Sequence, residues 1–189
     1  QVHMEVTGKK LLLAVSGGAD SVCLLHLFHK LQRELHLELI CVHVNHGLRE
    51  SAVIDEAFVK VMAEVRGIPF YSTVVDVKEY AAKNKMTIEE AGRTLRYAYF
   101  EEVRRETGAD YVVLAHHKDD CAETFLFHLC RGSGVRGLGG IRPVAGTLLR
   151  PLLFARREEI ETYLASKGIA FMTDETNLST EYSRNRIRY

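Results

Sequence analysis

Leu11-Leu12-Leu13-Ala14-Val15-Ser16-Gly17-Gly18-Ala19-Asp20-Ser21-Val22-Cys23-Leu24-Leu25-His26-Leu27-Phe28 decides the fold of this chain. The first five residues form an apolar run of strand type, and from Ser21 onward apolar side chains recur at helical spacing. A strand that enters a helix through two glycines aims backbone N–H groups and a helix N-terminus at one point, which is a phosphate site. Gly17 and Gly18 let backbone approach an anion closely, Ser16 and Ser21 add hydroxyls, and Asp20 offers a carboxylate to a magnesium ion on the phosphates. No Gly-Lys-Ser/Thr follows, so the loop Ser16, Gly17, Gly18, Ala19, Asp20, Ser21 is not a Walker A. A plain glycine turn is the weaker alternative.

Outward from this unit the same alternation continues. Strands are expected over 10–15, 37–44, 70–75 and 111–115, and helices over 21–35, 52–66, 76–84, 88–107 and 120–130. A hairpin-like stretch and a helix near 156–167 follow. Thr87 with Glu90 three residues on forms a capping box, and Gly67, Gly108 and Gly132 stand where helices should stop. Strand–helix alternation with short connections predicts an α/β fold: a mostly parallel, Rossmann-like sheet with helices on both faces. Ligands of such sheets gather at the carboxyl ends of the strands, where the motifs at Ser16, Asn45 and His116 all fall.

The 189 residues suit one α/β domain, and the apolar share of 47% with 26% charged residues is ordinary for a globular protein. No apolar run reaches the ~20 residues that span a bilayer, so a cytoplasmic location is expected. Cys23, Cys41, Cys121 and Cys130 lack any Cys-x-x-Cys pairing and read as reduced thiols. The formal net charge is zero, yet 131–157 holds six arginines and no acid, and Arg184, Arg186 and Arg188 follow. Nine arginines so placed point to phosphates. Gln1-Val2-His3 precede Met4 and read as an addition from expression. The domain is expected over 4–189, as the catalytic part of a longer protein.

Three further motifs carry chemistry. His116-His117-Lys118-Asp119-Asp120 leaves a strand and opens a helix; one aspartate can cap that helix, a divalent-metal hydrolase site is a second reading, and Asp120 with His116 facing the phosphate loop is a third. The phosphate loop favours the third. Arg93 and Arg96 lie three apart on one helical face, with a solvent-facing role for Arg93 as the alternative. Gly92 inside that helix costs about 1 kcal/mol relative to alanine, so something should approach closely there. Asn45-His46-Gly47-Leu48-Arg49 brings His46 and Arg49 to the crevice; a structural histidine is the alternative to a binding role for His46.

With these motifs in place, the chain resembles the tRNA(Ile)-lysidine synthetase family of the PP-loop ATP pyrophosphatases, whose fold is adenine nucleotide alpha hydrolase-like. Ser16 to Ser21, Asn45 to Arg49, Glu90 to Tyr97 and His116 to Asp120 carry the resemblance. Arg131-Gly132-Ser133-Gly134, Arg150-Pro151-Leu152-Leu153, Asp174-Glu175-Thr176-Asn177 and Arg184 to Arg188 extend it. The resemblance implies that ATP, with Mg2+, adenylates the carbon-2 oxygen of the wobble cytidine of an isoleucine tRNA. The amine of free L-lysine then displaces AMP to give lysidine. It implies functional positions at Asp20, Arg96, Asp120 and Arg188, with His116 beside them and Asp20 toward the metal. The general base is left between Asp120 and His116, and the charge on the α-phosphate falls to Arg96 or Arg188. Domains that help grip tRNA in full family members have no counterpart in these residues. The sequence leaves the oligomeric state open, a homodimer included. A tRNA thiolase, a non-catalytic ATP-binding module and a metal-dependent phosphohydrolase are the competing functions.

Overall fold

A computed structural model describes residues 5–48, 52–130 and 140–173. Four parallel strands form its frame: β1 (Lys10–Ala14), β2 (Glu38–Asn45), β3 (Phe70–Val74) and β4 (Tyr111–Val113). The hairpin-like stretch becomes two short strands, β5 (Val144–Ala145) and β6 (Leu148–Leu149). β6 adds parallel to β4, with β5 antiparallel at the edge. The six-stranded order is β3-β2-β1-β4-β6-β5.

The leucine run explains why β1 lies inside. Leu11, Leu12 and Leu13 are all fully buried, because side chains on both faces of the strand meet helices. Leu11 and Leu13 join Leu39 and Cys41 of β2 against α1 (Ala19–Leu31), α2 (Ala52–Glu64) and α6 (Arg157–Ser166). Leu12 joins Ile40 and Val112 on the opposite face, against Phe100 and Val103 of α4 (Ile88–Thr107). The period-two alternation of a strand thus splits one apolar run between two cores. A third, smaller cluster joins α3 (Val77–Asn84) to α4 through Val77, Ala81 and Ala91.

Two helices begin earlier than expected, and both shifts matter. Helix α1 starts at Ala19 with Gly18 as its N-cap, and α5 (Lys118–Cys130) starts at Lys118. Asp20, Asp119 and Asp120 therefore sit in first turns, at the positive ends of their helices. Helix α1 also ends at Leu31, short of 35. The Thr87–Glu90 capping box opens α4, and Gly108, at φ +68°, closes it. Gly132 lies outside the described residues.

The chain runs from β1 outward to β2 and β3, then returns to place β4 on the other side of β1. The strand order reverses at that gap, where α/β sheets open a crevice. The loops after β1 and β4 flank it.

Candidate active site

The loop after β1 is held open by its own side chains. Gly18 has extended backbone (φ −70°, ψ 163°), and no side chain caps α1. The first-turn amides of Ala19, Asp20 and Ser21 have no partner within the helix, so they are available to an anion. Gly17 adopts φ +99°, a conformation that suits glycine. It lies behind the cleft surface, where a Cβ would meet Val59, Phe58 and Met172 at 3.5–3.7 Å. The Ser21 hydroxyl accepts from the Ser16 and Gly17 amides at 3.1 and 3.2 Å and donates to the Gly18 carbonyl at 2.9 Å. It thereby shapes the loop, and the exposed Ser16 hydroxyl lies 3.1 Å from Ser21 Oγ.

One wall of the crevice is acidic and organised around a histidine. His117, only 2% exposed, sets Nε2 3.6 Å from Asp20 Oδ2 and 3.5 Å from Asp120 Oδ2. Its Nδ1 accepts the Asp119 amide hydrogen at 3.3 Å, which leaves the ring proton on Nε2, between the two carboxylates. Asp120 Oδ2 also accepts from the His117 amide at 2.9 Å, and Asp119 Oδ2 accepts from the Arg157 amide at 2.9 Å. Asp119 thus pins the start of α6, whereas Asp20 and Asp120 face a common point. Burial raises the Asp20 pKa above the usual carboxylate range; His117 and Arg157 pull it down and Asp120 pushes it up. Asp20 Oδ1 is buried with no partner among the described residues.

The facing wall is basic and comes mainly from α4. Arg93 and Arg96 bracket the Tyr97 ring, with guanidinium carbons 5.3 and 5.8 Å from its centroid. His46, after β2, is pushed down to about 4 by burial and then by the Arg96 charge. His116 is likewise pushed down to about 4 by burial; Asp120 opposes this, and Arg150, Arg96 and Arg93 reinforce it. Both imidazoles are therefore neutral at neutral pH. The group that approaches Gly92 is the His46 ring: a Cβ there would lie 3.5 Å from its Nδ1 and 3.6 Å from its Cε1, an ordinary contact that an alanine could also make.

Both walls line one cleft of about 690 Å³, together with Ser16, Gly18, Ala19, Asp20 and Ser21. Of the proposed positions, the structure therefore brings Asp20, Arg96, Asp120, His46, Arg93 and His116 together. Arg49, Arg188, Arg184, Arg186, Arg131 and Arg136 lie outside the described residues. The arginine run does not act as one surface. Arg150 is buried, donates from Nη1 to the Arg142 carbonyl at 2.9 Å and holds the hairpin, while Arg157 points to the cleft. Sequence reasoning missed His117, Arg157 and Met172 as members of the site. The adjacent histidines were visible, but only the register of β4 shows that His117, not His116, turns toward Asp20.

The chemistry of this cleft is that of a polyphosphate site. Amides and a positive helix end lie beside a half-buried carboxylate pair, and two guanidiniums line the same cleft. Among the described residues, no cluster of three or more His, Cys, Asp or Glu side chains could cage a metal ion by itself. The donors suit an ion shared with a phosphate ligand: hard carboxylate oxygens, one of them the unpartnered Asp20 Oδ1. No helix among the described residues is long and apolar enough to cross a membrane.

Comparison with known proteins agrees with this geometry. The model of the PP-loop domain family, an ATP-binding family, matches residues 1–189. A tRNA(Ile)-lysidine synthase of Petrotoga mobilis is 43% identical over 180 residues, covering 95% of this chain and 58% of that protein. A tRNA(Ile)-lysidine synthase of Bacteroides thetaiotaomicron is 45% identical over 187 residues, covering 98% and 43%. The chain thus spans about half the length of these curated relatives. Among solved structures, the U34-tRNA thiolase NcsA of Methanococcus maripaludis, which carries a [4Fe-4S] cluster, superposes with a TM-score of 0.77 at 19% identity. That match covers 96% of this chain and 64% of the thiolase. An NH3-dependent NAD synthetase of Campylobacter jejuni superposes with a TM-score of 0.58 at 13% identity, covering 96% and 72%. These two likenesses concern the fold.

Proposed function

The chain belongs to the PP-loop domain family, and from that premise we propose that its cleft joins L-lysine to carbon 2 of the wobble cytidine of an isoleucine tRNA. The observation that carries this reading is the meeting of Asp20 and Asp120 on one His117 nitrogen, across from Arg93 and Arg96, in a chain 43–45% identical to lysidine synthases. The location that fits these substrates is the cytoplasm.

In the first step the cytidine O2 attacks the α-phosphorus of ATP, the bond to the β-phosphate oxygen breaks, and pyrophosphate leaves. The amides at the start of α1 hold the leaving phosphates. Arg96 lines the cleft, where both His46 and His116 feel its charge, and is suited to stabilise the α-phosphate as negative charge develops. Asp20 would hold magnesium, which supplies charge neutralisation for the polyphosphate when bound, and Asp120 is left for the proton. Arg188 remains a candidate second contact to the α-phosphate.

In the second step the lysine ε-amine attacks carbon 2, the bond to the AMP oxygen breaks, and a proton must leave the amine. Asp120 is the better base. Its Oδ1 accepts no hydrogen bond from the described residues, and a carboxylate attracts the incoming ammonium. His116, held at about 4 among arginines, is a weak base and part of a wall that repels a cation.

The thiolase alternative fits less well. Cys23 and Cys41 are buried in the core, and burial pushes their thiols up to about 11 and about 12, away from the thiolate that sulfur transfer needs. The test supplies the protein with ATP, magnesium, labelled lysine and isoleucine tRNA carrying a wobble cytidine. Label should enter the RNA, and should not when that cytidine is replaced by uridine. Label in neither RNA, with sulfur incorporated from a sulfur donor instead, would overturn the reading.

A further inference from the structure

Arg157 belongs to the run of arginines that the sequence assigns to RNA, but its surroundings are those of the phosphate loop. Its backbone amide is fixed by Asp119 Oδ2 at 2.9 Å, and the neighbouring Ala155 carbonyl accepts from the Lys118 amide at 2.8 Å. The start of α6 is thereby clamped onto the start of α5. Within the side chain, Nε donates to Glu161 Oε1 at 2.8 Å, which orients the guanidinium. Neither Nη nitrogen makes a hydrogen bond among the described residues. The side chain is 36% exposed and lines the cleft beside Asp20, whose carboxyl its charge pulls down. Beyond α6 the chain returns to the same loop, where the Met172 amide donates to the Gly17 carbonyl at 2.9 Å.

A guanidinium held by its backbone and its Nε, in a residue that lines the cleft and with Nη groups that make no hydrogen bond among the described residues, is prepared for a compact anion with several oxygens. Asp20, Asp119, Asp120 and Glu161 lie around the group and repel phosphate, which favours a compact polyphosphate that brings magnesium to Asp20 over an extended RNA backbone. With Arg96 of α4 assigned to the α-phosphate, Arg157 at the start of α6 is the guanidinium of the same cleft left for the β,γ-phosphates. We propose that Arg157 grips the β,γ-diphosphate of ATP and the pyrophosphate it becomes, as a catalytic residue that the arginine run conceals. This deepens the proposed reaction and rests only on ATP being cleaved in this cleft, whichever oxygen receives the nucleotide.

Calorimetry with magnesium present separates the roles, titrating wild type, R157A and R157K with ATP, AMP and pyrophosphate. R157A should weaken pyrophosphate and ATP by about tenfold or more, the scale of a lost charge-assisted hydrogen bond, and leave AMP unchanged. R157K, which keeps the charge without the fork, should recover part of the loss. Affinity for isoleucine tRNA without ATP should match wild type. Should R157A not fold, R157Q is held to the same pattern. Equal losses for AMP and pyrophosphate, or intact pyrophosphate binding with weakened tRNA binding, would overturn the proposal. A protein that shows the expected pattern but transfers no lysine would sink the lysidine reading and leave this one standing.

Discussion

The two walls of the cleft are built by opposite means. The acidic wall draws on loops after β1 and β4 and on the start of α6, and it is tied together by backbone hydrogen bonds and a buried histidine. The basic wall comes mainly from a single helix and stands on the ring of Tyr97. Its histidines carry buried Nδ1 atoms without partners, whereas His117 has both ring nitrogens engaged. A cluster fixed in the absence of ligand lends itself to positioning a metal and a proton acceptor. A wall of half-exposed cations and neutral imidazoles lends itself to receiving charge that arrives only during reaction. The acidic wall should therefore govern whether chemistry occurs, and the basic wall how fast.

The sharpest way to break this contrast is to remove the acids. D20N and D120N should each lower pyrophosphate release by about a thousandfold or more, within the range for lost charge stabilisation and proton transfer. Circular dichroism should remain native, since both substitutions keep the side-chain shape. Residual activity above a tenth of wild type would reduce the two carboxylates to helix caps.

A smaller effect is expected across the cleft. R96A should lower the single-turnover rate of adenylation by about a hundredfold, with R93A milder, because Arg93 is an outer partner of the Tyr97 stack. Y97L, which deletes that stack at about 0.5–1 kcal/mol per cation–π contact, should cost less than R96A. Equal rates for R96A and wild type would leave the basic wall without a role in the chemical step.

The loop comes next, with a smaller effect. At Gly18 the backbone is accessible to any residue, and a Cβ would meet only Ser16 Oγ, at 3.7 Å. G18V should therefore keep its stability while weakening ATP binding, roughly tenfold, by covering the amides. Unchanged ATP affinity by calorimetry would make the loop a plain turn.

The smallest signal is in the pH dependence of stability. His46 and His116 have native pKa values of about 4, below the ~6.5 of an unfolded chain. The unfolded state thus takes up protons first, and stability present above pH 6.5 is lost as pH falls from there toward 4. The raised Asp20 acts with the opposite sign. Urea denaturation of H46Q/H116Q should show a shallower fall over this window than wild type. An identical slope would mean that the imidazoles are not held neutral.

Much of the fold was legible because β1 is unusually apolar, each of the first four strands leads into a helix, and α4 opens on the Thr87–Glu90 capping box. The basic wall was legible too, since an i, i+3 spacing on a helix fixes which side chains share a face. The acidic wall was legible in its members but not in its wiring. Adjacent residues leaving a strand point to opposite sides, so His116 turns to the arginines and His117 to Asp20, and nothing in the pair says which is which. The part Ser21 plays in shaping the loop was not legible, because composition cannot show that a hydroxyl meets three backbone groups. Arg150 and Arg157 looked alike for the same reason: seven residues apart, one is packed beneath the hairpin and the other opens on the cleft.

The central claim is that this cleft makes an adenylated RNA before lysine enters. Its most direct test is a single turnover of the protein with isoleucine tRNA, magnesium and ATP labelled at the α- or γ-phosphate, with lysine withheld. The account predicts α-label on the tRNA, γ-label in pyrophosphate, and release of labelled AMP once lysine is added. Release of ADP and inorganic phosphate, or no pyrophosphate until lysine is present, would contradict it.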